Sequence, residues 1–467
     1  MTQQTLINWN LNLTECQRKA YNAMASGKNV LITGQGGVGK SYVIEKYYKK
    51  VLKDLGSDRV FKTATTGIAA LNIQGRTIHS WAGIMLGAGT TKELLEKMPP
   101  AARSRWLRVH ILFIDEASML DPDLFDKLDK IGQHIRGNLL FFGGIQLILS
   151  ADFLQLSPVS SKFQLYDAKS WFGSGINDTI VLKTNVRQKD PVFQKLLGEI
   201  RVGYCSNTSY NILKSRLNVD ITKHGIKPTM ILSLNKKVDQ INSDELNKLL
   251  KFGYNGLIDV KAHTYTAKYS VKFNKTMIPD HKLITDFKAL SGATVADSIT
   301  LCIGAQVIIK RNLQDNIVNG TRGIVIDLNM KQVFVRLLDL REIVIDMVVW
   351  SYSIGSDFEV NKKQVPFKLG YAISVHGSQS MTLDLVCADL GPSIFAFGQA
   401  YVVLSRVRSL EGLSISALDR SRIKANPDIV NKFYPELKDK LEKISLLESL
   451  KFSALIVDII IGYCYYG

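Results

Sequence analysis

Residues 34–41 read GQGGVGKS, which matches the pattern G-x-x-x-x-G-K-S at every fixed position. The short apolar run NVLIT precedes it, and apolar residues at helical spacing follow it. A strand, a glycine-rich turn and a helix in this order form the phosphate cradle of P-loop nucleotidases, because the glycines let backbone N–H groups converge on phosphate oxygens. Lys40 is expected to reach the β- and γ-phosphates, and Ser41 is expected to bind Mg²⁺. The predicted nucleotide-binding residues of this loop are Gly34, Gly36, Gly37, Val38, Gly39, Lys40 and Ser41.

Two later apolar runs supply the polar groups that a P-loop site needs. VHILFIDEAS (109–118) ends in Asp115, which would bind Mg²⁺, and Glu116, which would orient or deprotonate the attacking water. GGIQLILSADFLQLSPV (143–159) would place Gln155 at the carboxyl end of a strand, where ligands bind in α/β sheets. Gln155 could sense the γ-phosphate there, and an ordinary polar loop residue is the alternative interpretation.

The sequence favours ATP over GTP. Most GTPases carry N-K-x-D for guanine, and the nearest run here, NKKVD (235–239), is one residue too long. The DEAS sequence also differs from the D-x-x-G that is usual in GTPases. We therefore predict ATP and Mg²⁺ as the cofactors.

Composition and charge bound the choice of partners. The 467 residues carry 59 Lys and Arg against 42 Asp and Glu, a net charge of +17. This surplus suits nucleic acid or an anionic membrane, and a merely solvated basic surface is the alternative. The five cysteines are far apart without a C-x-x-C pair, which argues against a zinc site and a disulfide framework and indicates a reducing, intracellular setting. Cytoplasm, nucleus and a viral protein in a host cell all stay open.

The chain ends carry no clear targeting or membrane signal. The N-terminal MTQQTLINWN is polar and lacks the apolar core of a signal peptide. The apolar stretch 452–467 is shorter than the ~20 residues of a spanning helix, and Asp458 interrupts it. A buried strand or helix is therefore favoured over a tail anchor, and no membrane partner is expected. No role is predicted for the tail, 438–467.

Eight further stretches occur in an order that is typical of one family. They are LTECQRKAYNAM (13–24), TATTGIAALNIQGRTIHSWAGI (63–84), SMLDPDLFDKLDKIGQHIR (118–136), NVRQKDPVFQKLLGEIRVG (185–203), IGAQVIIKRNLQDNIVNGTRGIV (303–325), SVHGSQSMTLD (374–384), AYVVLSRVRSLEGL (400–413) and IKANPDIVNKFY (423–434). On these motifs, residues 13–437 resemble superfamily-one DNA helicases of the petite-integration-frequency (PIF) type, which are related to RecD.

The resemblance implies an α/β fold of two RecA-like P-loop NTPase lobes, each a parallel sheet flanked by helices. Strand-like Val and Ile spacing, interrupted by the turn residues Asn319 and Gly320, favours a small β-barrel insertion. The resemblance implies that this barrel is SH3-like. The predicted division is a first lobe at 1–175 with a small wedge insertion at 85–108, a second lobe at 176–302 and 367–437, and the barrel at 303–366.

The resemblance also implies roles for individual residues. Gln17 would read adenine. Because the first lobe's motifs hold no arginine placed for the γ-phosphate, Arg187 and Arg406 are expected to reach it from the second lobe as arginine fingers, with Arg408 the less certain of the pair in its motif. Contacts to phosphates and bases of single-stranded DNA are predicted for Thr65, Thr66, His79, Ser80 and Trp81 in the first lobe and for His376, Ser378 and Gln379 in the second.

The sequence departs from the family in two motifs. The third usually reads G-D-F-x-Q-L-P-P-V, and here Ala151 and Ser157 replace a Gly and a Pro. The fifth usually reads H-K-S-Q-G, and here Gly377 and Ser380 replace the Lys and the Gly. The missing lysine removes one cationic contact from the expected DNA track.

These observations lead to one functional prediction and two alternatives. We expect a monomeric ATP-dependent DNA helicase that moves 5′-to-3′ on single-stranded DNA and unwinds tailed duplex DNA, the direction being implied by the family. An ATP-gated clamp that holds single-stranded DNA without unwinding is one alternative, and an RNA-stimulated helicase is the other.

Overall fold

The computed structural model describes residues 13–433, except for residues 157–162, 174, 177, 274–275, 279–283, 285–294, 312, 314–316, 355–357 and 380. The predicted tail at 438–467 and the departures Ser157 and Ser380 therefore lie outside the described residues. Within the described part, none of the helices is both long enough and apolar enough to cross a membrane.

The first unit is a parallel sheet flanked by helices. Its strands are β1 (Val30–Thr33), β2 (Val60–Ala64), β3 (Arg76–Thr77), β4 (Ile111–Asp115), β5 (Gln146–Ala151) and β6 (Asp178–Val181). Its helices are α1 (Glu15–Ala25), α2 (Lys40–Leu55), α3 (Gly67–Asn72), α4 (Ile78–Ala82), α5 (Thr91–Glu96), α6 (Pro100–Arg108), α7 (Pro122–Arg136) and α8 (Lys169–Gly173). The strand order is β3-β2-β4-β5-β1-β6. β1 and β4 are buried along their whole length, as expected for a parallel sheet covered on both faces.

The predicted wedge at 85–108 contains α5 and α6, and it packs into the core of the first unit. Trp106 on α6 is fully buried, with its ring centre 4.7 Å from that of Trp81 on α4. Arg105 donates hydrogen bonds to the Trp81 carbonyl oxygen from Nε and Nη2. The segment therefore stabilises the first unit, and its identification as a wedge stays a prediction.

The second unit is also a parallel sheet. Its strands are β7 (Thr229–Leu232), β19 (Ala372–Ser374), β20 (Val386–Leu390) and β21 (Leu413–Leu418), and its helices are α9 (Pro191–Arg201), α10 (Asn207–Lys214), α11 (Asn235–Phe252), α12 (Gln399–Leu404) and α13 (Pro427–Phe433). The strand order is β19-β7-β20-β21. α9 and α12 pack in the core of this unit, whereas α13 inserts Ile429 and Val430 into the core of the first unit. The chain thus returns to the first unit after completing the second.

An antiparallel β-rich insertion interrupts the second unit. Its strands are β8 (Ala262–Thr266), β9 (Lys268–Phe273), β10 (Thr276–Ile278), β11 (Ser298–Cys302), β12 (Gln306–Ile309), β13 (Arg322–Leu328), β14 (Gln332–Leu337), β15 (Glu342–Asp346), β16 (Val348–Ile354), β17 (Phe358–Gln364) and β18 (Phe367–Leu369). They form sheets of order β15-β14-β13-β12-β18 and β10-β9-β17-β16, and β11 pairs with β8. Alternating apolar residues such as Val325, Val333 and Val335 fill the core.

The structure moves two of the predicted boundaries. β6 pairs with β1, so the first sheet extends beyond residue 175. β9 pairs with β17, and Tyr265 of β8 packs in the core of the insertion, so the inserted β-structure begins at β8, well before residue 303. Both misplaced segments are short strands with partly exposed side chains, and distant pairing partners, more than local propensity, decide where such strands belong. The closure of the insertion into a barrel stays a prediction.

Candidate active site

The glycine-rich loop lies between β1 and α2, and its backbone needs glycine. Gly34, Gly37 and Gly39 have φ values of 140°, 91° and 80°, a region that residues with a Cβ rarely adopt. A Cβ on Gly34 would come within 2.4 Å of the Leu182 carbonyl oxygen, and one on Gly37 within 2.7 Å of the Arg187 Cβ. The loop is therefore packed tightly against the segment that follows β6.

One cavity of about 400 Å³ brings the predicted catalytic and metal-binding residues together. A volume of this order suits a small-molecule ligand such as a nucleotide. The predicted residues that line it are Gly36, Gly37, Gly39, Lys40, Ser41, Asp115, Glu116, Gln155, Arg187 and Arg406. The lining does not include Gly34, Val38 or Gln17. Gly34 and Val38 belong to the glycine-rich loop itself, and Gln17 contacts that loop through the Val38 carbonyl oxygen.

Lys40, the first residue of α2, directs its ammonium group back towards the loop. Its Nζ donates hydrogen bonds to the carbonyl oxygens of Gly34 at 2.7 Å and Gln35 at 3.2 Å. Burial lowers the pKa of Lys40, and the nearby carboxylates of Asp152 and Glu116 oppose that shift. Because both hydrogen-bond partners are neutral carbonyls, the charge of Lys40 remains available to an anion in the cavity.

Gln17 supports the loop from α1. Its Nε2 donates a hydrogen bond to the Val38 carbonyl oxygen at 3.1 Å, and its Oε1 accepts one from the Thr14 backbone N–H at 3.0 Å. The side chain is only 3% exposed. Gln17 thus holds the phosphate loop in place, and its contact with adenine stays a prediction.

Asp115, Glu116 and Ser41 offer the oxygen ligands that Mg²⁺ prefers. Burial, and then the neighbouring charge of Glu116, raise the pKa of Asp115 to about 6. The Glu116 backbone N–H donates to Asp115 Oδ1 at 3.0 Å, and Glu116 adopts an uncommon φ of 50°. A divalent cation would favour the charged forms of both carboxylates, so these residues fit Mg²⁺.

Two arginines enter the same cavity from segments that pack with the second unit. Arg187 Nη1 donates to the Ser405 carbonyl oxygen at 2.9 Å, and Arg406 donates from Nε to the Val402 carbonyl oxygen and from Nη2 to Ser405 Oγ. These hydrogen-bond partners are neutral, and the Glu116 carboxylate is a nearby negative charge that favours the charged form of both arginines. Burial, and then the charge of Arg406, lower the pKa of Arg187 to about 9. Two guanidinium groups in one cavity repel each other, so binding of a polyanion between them is favoured.

Gln155 belongs to a buried polar network at the end of β5. Its Nε2 donates to Asp152 Oδ2 at 3.0 Å, and Arg201 Nη2 donates to Asp152 Oδ1 at 2.9 Å. The Oε1 of Gln155 is buried without a hydrogen-bond partner. A buried acceptor without a partner is costly, and here it belongs to a cavity-lining residue. Gln155 is therefore able to accept a hydrogen bond from a water beside the phosphates.

The first-unit residues predicted to bind DNA differ widely in exposure. Thr65 donates from its backbone N–H to the Asp115 carbonyl oxygen at 3.3 Å and from Oγ1 to the Glu116 carbonyl oxygen at 2.9 Å. Thr66 Oγ1 accepts a hydrogen bond from the Ala69 backbone N–H at the start of α3. His79 is half-buried and Ser80 is exposed. Thr65 thus connects the expected DNA track directly to the carboxylate pair.

The structure contradicts a base contact for Trp81. Its side chain is 0% exposed and packs against Trp106 and Phe61 in the core of the first unit. A ring enclosed in this way has no free face for stacking on a base. Position within a motif could not reveal this, because one face of the short helix α4 is buried and the other is open.

The second-unit residues predicted to bind DNA also differ in exposure. His376 is exposed, as a DNA contact requires. Ser378 is 0% exposed and donates from Oγ to the Val375 carbonyl oxygen at 2.7 Å, so a phosphate contact by its side chain is contradicted in this conformation. Gln379 is 6% exposed and its Nε2 has no hydrogen-bond partner, so its contact with DNA stays a prediction. The turn after β19 directs these two side chains inward.

Several known proteins are similar to this chain over most of its length. A family model described as PIF1-like helicase matches residues 12–209. The ATP-dependent DNA helicase PIF1 of Danio rerio is 35% identical over 436 residues, which cover 91% of this chain and 64% of that protein. The crystal structure of Pif1 helicase from Candida albicans has a TM-score of 0.73 at 31% identity and covers 91% of this chain and 100% of that chain.

The chain belongs to the PIF1-like helicase family. A structure of the Bacteroides Pif1 helicase in complex with ADP-AlF3 and ssDNA is also similar, with a TM-score of 0.64 at 26% identity, and covers 92% of this chain and 98% of that chain. These relatives confirm the predicted fold class of two RecA-like lobes, which are the two parallel sheets described above. This PIF1-like chain spans 64% of the length of the Danio rerio relative and 65% of the Xenopus laevis one.

Sequence reasoning missed one residue that joins the two lobes of this PIF1-like chain. The hydroxyl oxygen of Tyr401, on α12, accepts a hydrogen bond from the Gly36 backbone N–H at 2.8 Å. Tyr401 is 1% exposed, and burial raises the pKa of its hydroxyl. The motif AYVVLSRVRSLEGL contains Tyr401, but an aromatic residue in an apolar helical run is usually a core residue. Only the tertiary contact reveals that its hydroxyl touches the phosphate loop.

Proposed function

We propose that this chain is the motor of an ATP-dependent DNA helicase that moves 5′-to-3′ along single-stranded DNA and unwinds tailed duplex DNA. One observation carries the proposal: Arg187 and Arg406, which pack with the second lobe, lie in the same cavity as Lys40, Asp115 and Glu116 of the first. A nucleotide that contacts both lobes would change the relative position of the lobes when it is hydrolysed. The names of the PIF1 relatives and the ssDNA complex of the Bacteroides protein support the choice of DNA.

The cavity residues divide the chemistry of ATP hydrolysis among them. Lys40 and the loop amides would hold the phosphates, while Ser41 and Asp115 would hold Mg²⁺, which supplies charge neutralisation when bound. Glu116 would accept the proton of the attacking water, which Gln155 helps to orient. Arg187 and Arg406 would neutralise the negative charge that spreads over the transferring phosphoryl group.

Contacts around the phosphate loop would transmit the nucleotide state to both lobes. Tyr401 bonds to Gly36 of the loop, and Arg187 bonds to Ser405 beside the second arginine. In the first lobe, Thr65 joins the carboxylate pair to the residues expected to touch DNA. Closing the cavity on a triphosphate would therefore shift both halves of the DNA track together. The net charge of +17 supports a polyanionic partner; we further propose that the protein acts as a monomer inside the cell.

A strand-displacement assay tests the proposal. The full chain is mixed with duplexes that carry a 5′ or a 3′ single-stranded tail, with ATP and Mg²⁺, and Lys40→Ala serves as the inactive control. Displacement on the 5′-tailed duplex alone supports the proposal, and displacement on the 3′-tailed duplex alone overturns the direction.

Two other outcomes correspond to the alternative functions. Binding of the tailed duplex without displacement at any ATP concentration indicates an ATP-gated clamp. ATP hydrolysis that RNA oligonucleotides stimulate more strongly than DNA oligonucleotides of the same sequence indicates an RNA-directed enzyme.

A further inference from the structure

The short helix α12 belongs to the second lobe and begins against the first. All 6 of its residues are buried. Gly398 at its N-cap has a φ of 74°, and a Cβ there would come within 2.6 Å of the Gln155 carbonyl oxygen and 2.7 Å of the Leu154 carbonyl oxygen. The start of α12 therefore approaches the backbone of the first-lobe loop that carries Gln155 as closely as only glycine allows.

The middle of α12 contacts the phosphate loop through one side chain. The hydroxyl oxygen of Tyr401 accepts a hydrogen bond from the Gly36 backbone N–H at 2.8 Å. Burial, and then the charge of Asp152, raise the pKa of Tyr401, so its hydroxyl is neutral at physiological pH. This hydrogen bond joins the helix to the loop at a defined distance.

The end of α12 leads directly to Arg406. The Ser405 backbone N–H donates to the Tyr401 carbonyl oxygen at 2.9 Å, and Arg406 Nε donates to the Val402 carbonyl oxygen at 2.9 Å. Arg406 Nη2 also donates to Ser405 Oγ at 2.7 Å. The guanidinium group is thus held by the last turn of the helix, and a movement of α12 relative to the phosphate loop would carry it along.

Gly36 is the part of the phosphate loop that faces this arginine. A Cβ on Gly36 would lie 3.6 Å from Arg406 Nη2 and 3.6 Å from both Cβ and Oγ of Ser405. The residue whose amide binds the Tyr401 hydroxyl is therefore also the residue that lies beside the guanidinium group. A hydrogen bond at this place can set the distance between the arginine and phosphates held by the loop.

We propose that Tyr401 is a positioning residue for ATP hydrolysis: its hydroxyl fixes α12 on the phosphate loop and so places the Arg406 guanidinium group against the transferring phosphoryl group. The inference rests on the proposed function, because it takes the cavity to hydrolyse ATP. Tyr401 does not line the nucleotide cavity. It therefore acts through Arg406, on the rate of hydrolysis and not on the binding of ATP.

Tyr401→Phe removes the hydroxyl oxygen and keeps the buried ring. We expect kcat for DNA-stimulated phosphate release to fall by about 10- to 100-fold, because small displacements of a catalytic group have effects of this size. The KM for ATP should change by less than about threefold, since Lys40 and the loop amides still bind the phosphates. Rates are divided by the number of nucleotide sites, titrated with a fluorescent ATP analogue, so that unfolded chain does not lower the measured kcat.

Tyr371→Phe is the matched control. The hydroxyl oxygen of Tyr371 also accepts a hydrogen bond from a backbone N–H, that of Gln306, at 3.0 Å, and the side chain is 7% exposed. Tyr371 does not line the nucleotide cavity. Loss of its hydroxyl should lower the stability of the fold to a similar extent and leave kcat within about twofold of the value of the unmodified chain.

A double-mutant cycle with Arg406→Gln distinguishes a positioning role from a structural one. If Tyr401 acts through Arg406, Tyr401→Phe should cost less than about twofold in kcat once the guanidinium group is gone. A hydroxyl with a purely structural role would lower kcat by the same factor in both backgrounds. Equal factors therefore overturn the inference.

Gly398→Ala tests the other contact of α12 while Tyr401 is kept. Because the added Cβ would displace the helix from the Gln155 loop, kcat should fall with little change in KM, and this loss too should shrink in the Arg406→Gln background. An unchanged kcat in Gly398→Ala would mean that the seat of α12 on the first lobe does not control Arg406, and it overturns the inference.

The outcomes separate this inference from the proposed function. If the unmodified chain hydrolyses ATP under DNA stimulation but Tyr401→Phe loses less than about fivefold in kcat, a difference of under 1 kcal/mol, the positioning role is overturned and the proposed function stands. If the unmodified chain does not hydrolyse ATP, both are overturned.

Discussion

Replacing Arg406 with glutamine tests the idea that arginines from the second lobe complete the active site. Arg406 is 2% exposed, and its Nη2 lies 3.6 Å from the position that a Cβ on Gly36 would occupy, so it reaches the phosphate loop itself. Its remaining contacts are to Val402 and Ser405, both neighbours on its own segment. Glutamine can keep one of these hydrogen bonds, and it removes the charge.

The size of the effect follows from this geometry. An arginine finger contributes about 10³- to 10⁵-fold in rate. Because Arg187 stays in the same cavity, we expect a loss at the lower end, about 10³-fold in kcat, or about 4 kcal/mol in transition-state stabilisation. The KM for ATP should change by less than about fivefold, since Lys40 and the loop amides still bind the ground-state phosphates.

Arg322→Gln is the matched control. Arg322 is also 2% exposed, and it donates from Nη1 to Thr229 Oγ1 at 2.8 Å and to the Lys227 carbonyl oxygen at 3.1 Å, but it does not line the nucleotide cavity. Arg322→Gln should lower the midpoint temperature of unfolding by several degrees. It should leave kcat within about twofold of the value of the unmodified chain, because Arg322 contributes to the stability of the fold and does not contact the nucleotide cavity.

The assay is DNA-stimulated release of phosphate under saturating ATP, with thermal unfolding measured on the same preparations. A kcat for Arg406→Gln within about threefold of the unmodified chain would refute the finger role, because that difference is under 1 kcal/mol. Equal loss of kcat in Arg322→Gln would also refute it, since both effects would then come from general damage to the fold.

Three further predictions concern the same two lobes. Lys40→Ala should abolish ATP hydrolysis with an unchanged circular dichroism spectrum, and ordinary turnover by this variant would contradict the site assignment. The pKa of Asp115 is raised to about 6, so this carboxylate is protonated below about pH 6 and then binds Mg²⁺ poorly. Hydrolysis of ATP at limiting Mg²⁺ should therefore fall as pH drops through about 6. A higher Mg²⁺ concentration should move the midpoint of this pH dependence to lower pH. The sign is opposite for folding: the charged form of Asp115 opposes folding at neutral pH, and this penalty is relieved as pH falls through the raised pKa. Trp81→Ala should reduce the free energy of unfolding by about 3 to 5 kcal/mol, whereas His79→Ala should reduce DNA affinity with little change in unfolding. A DNA defect without destabilisation in Trp81→Ala would restore the base contact that the structure contradicts.

Several parts of the site could be predicted because short stretches of sequence encode them. The glycine pattern of residues 34–41 requires positive φ values, and Lys40 and Ser41 follow at fixed positions on the helix. Asp115 and Glu116 follow an apolar run that predicts a buried strand, and the structure has that strand at Ile111–Asp115. Dihedral preference and apolar patterning act over a few residues, so they are readable without knowledge of the fold.

Other features depended on contacts between distant segments. Trp81 and Ser378 occur in motifs with exposed neighbours, yet both side chains are buried. Tyr401 resembles a core residue in sequence, yet its hydroxyl meets a backbone amide of the other lobe. A motif gives the position of a residue along the chain, whereas the packing of neighbouring elements decides the direction of its side chain.

The boundary between these two groups of features has a physical origin. Residues 34–41 and 109–118 specify a nucleotide site because backbone conformation and the order of charged groups are local properties. Exposure, strand pairing and the meeting of Arg187 and Arg406 in one cavity are properties of the folded chain, since each depends on surfaces contributed by segments far apart in sequence. The insertion that begins at β8 and the contact of Tyr401 with the phosphate loop therefore became visible only in the folded chain.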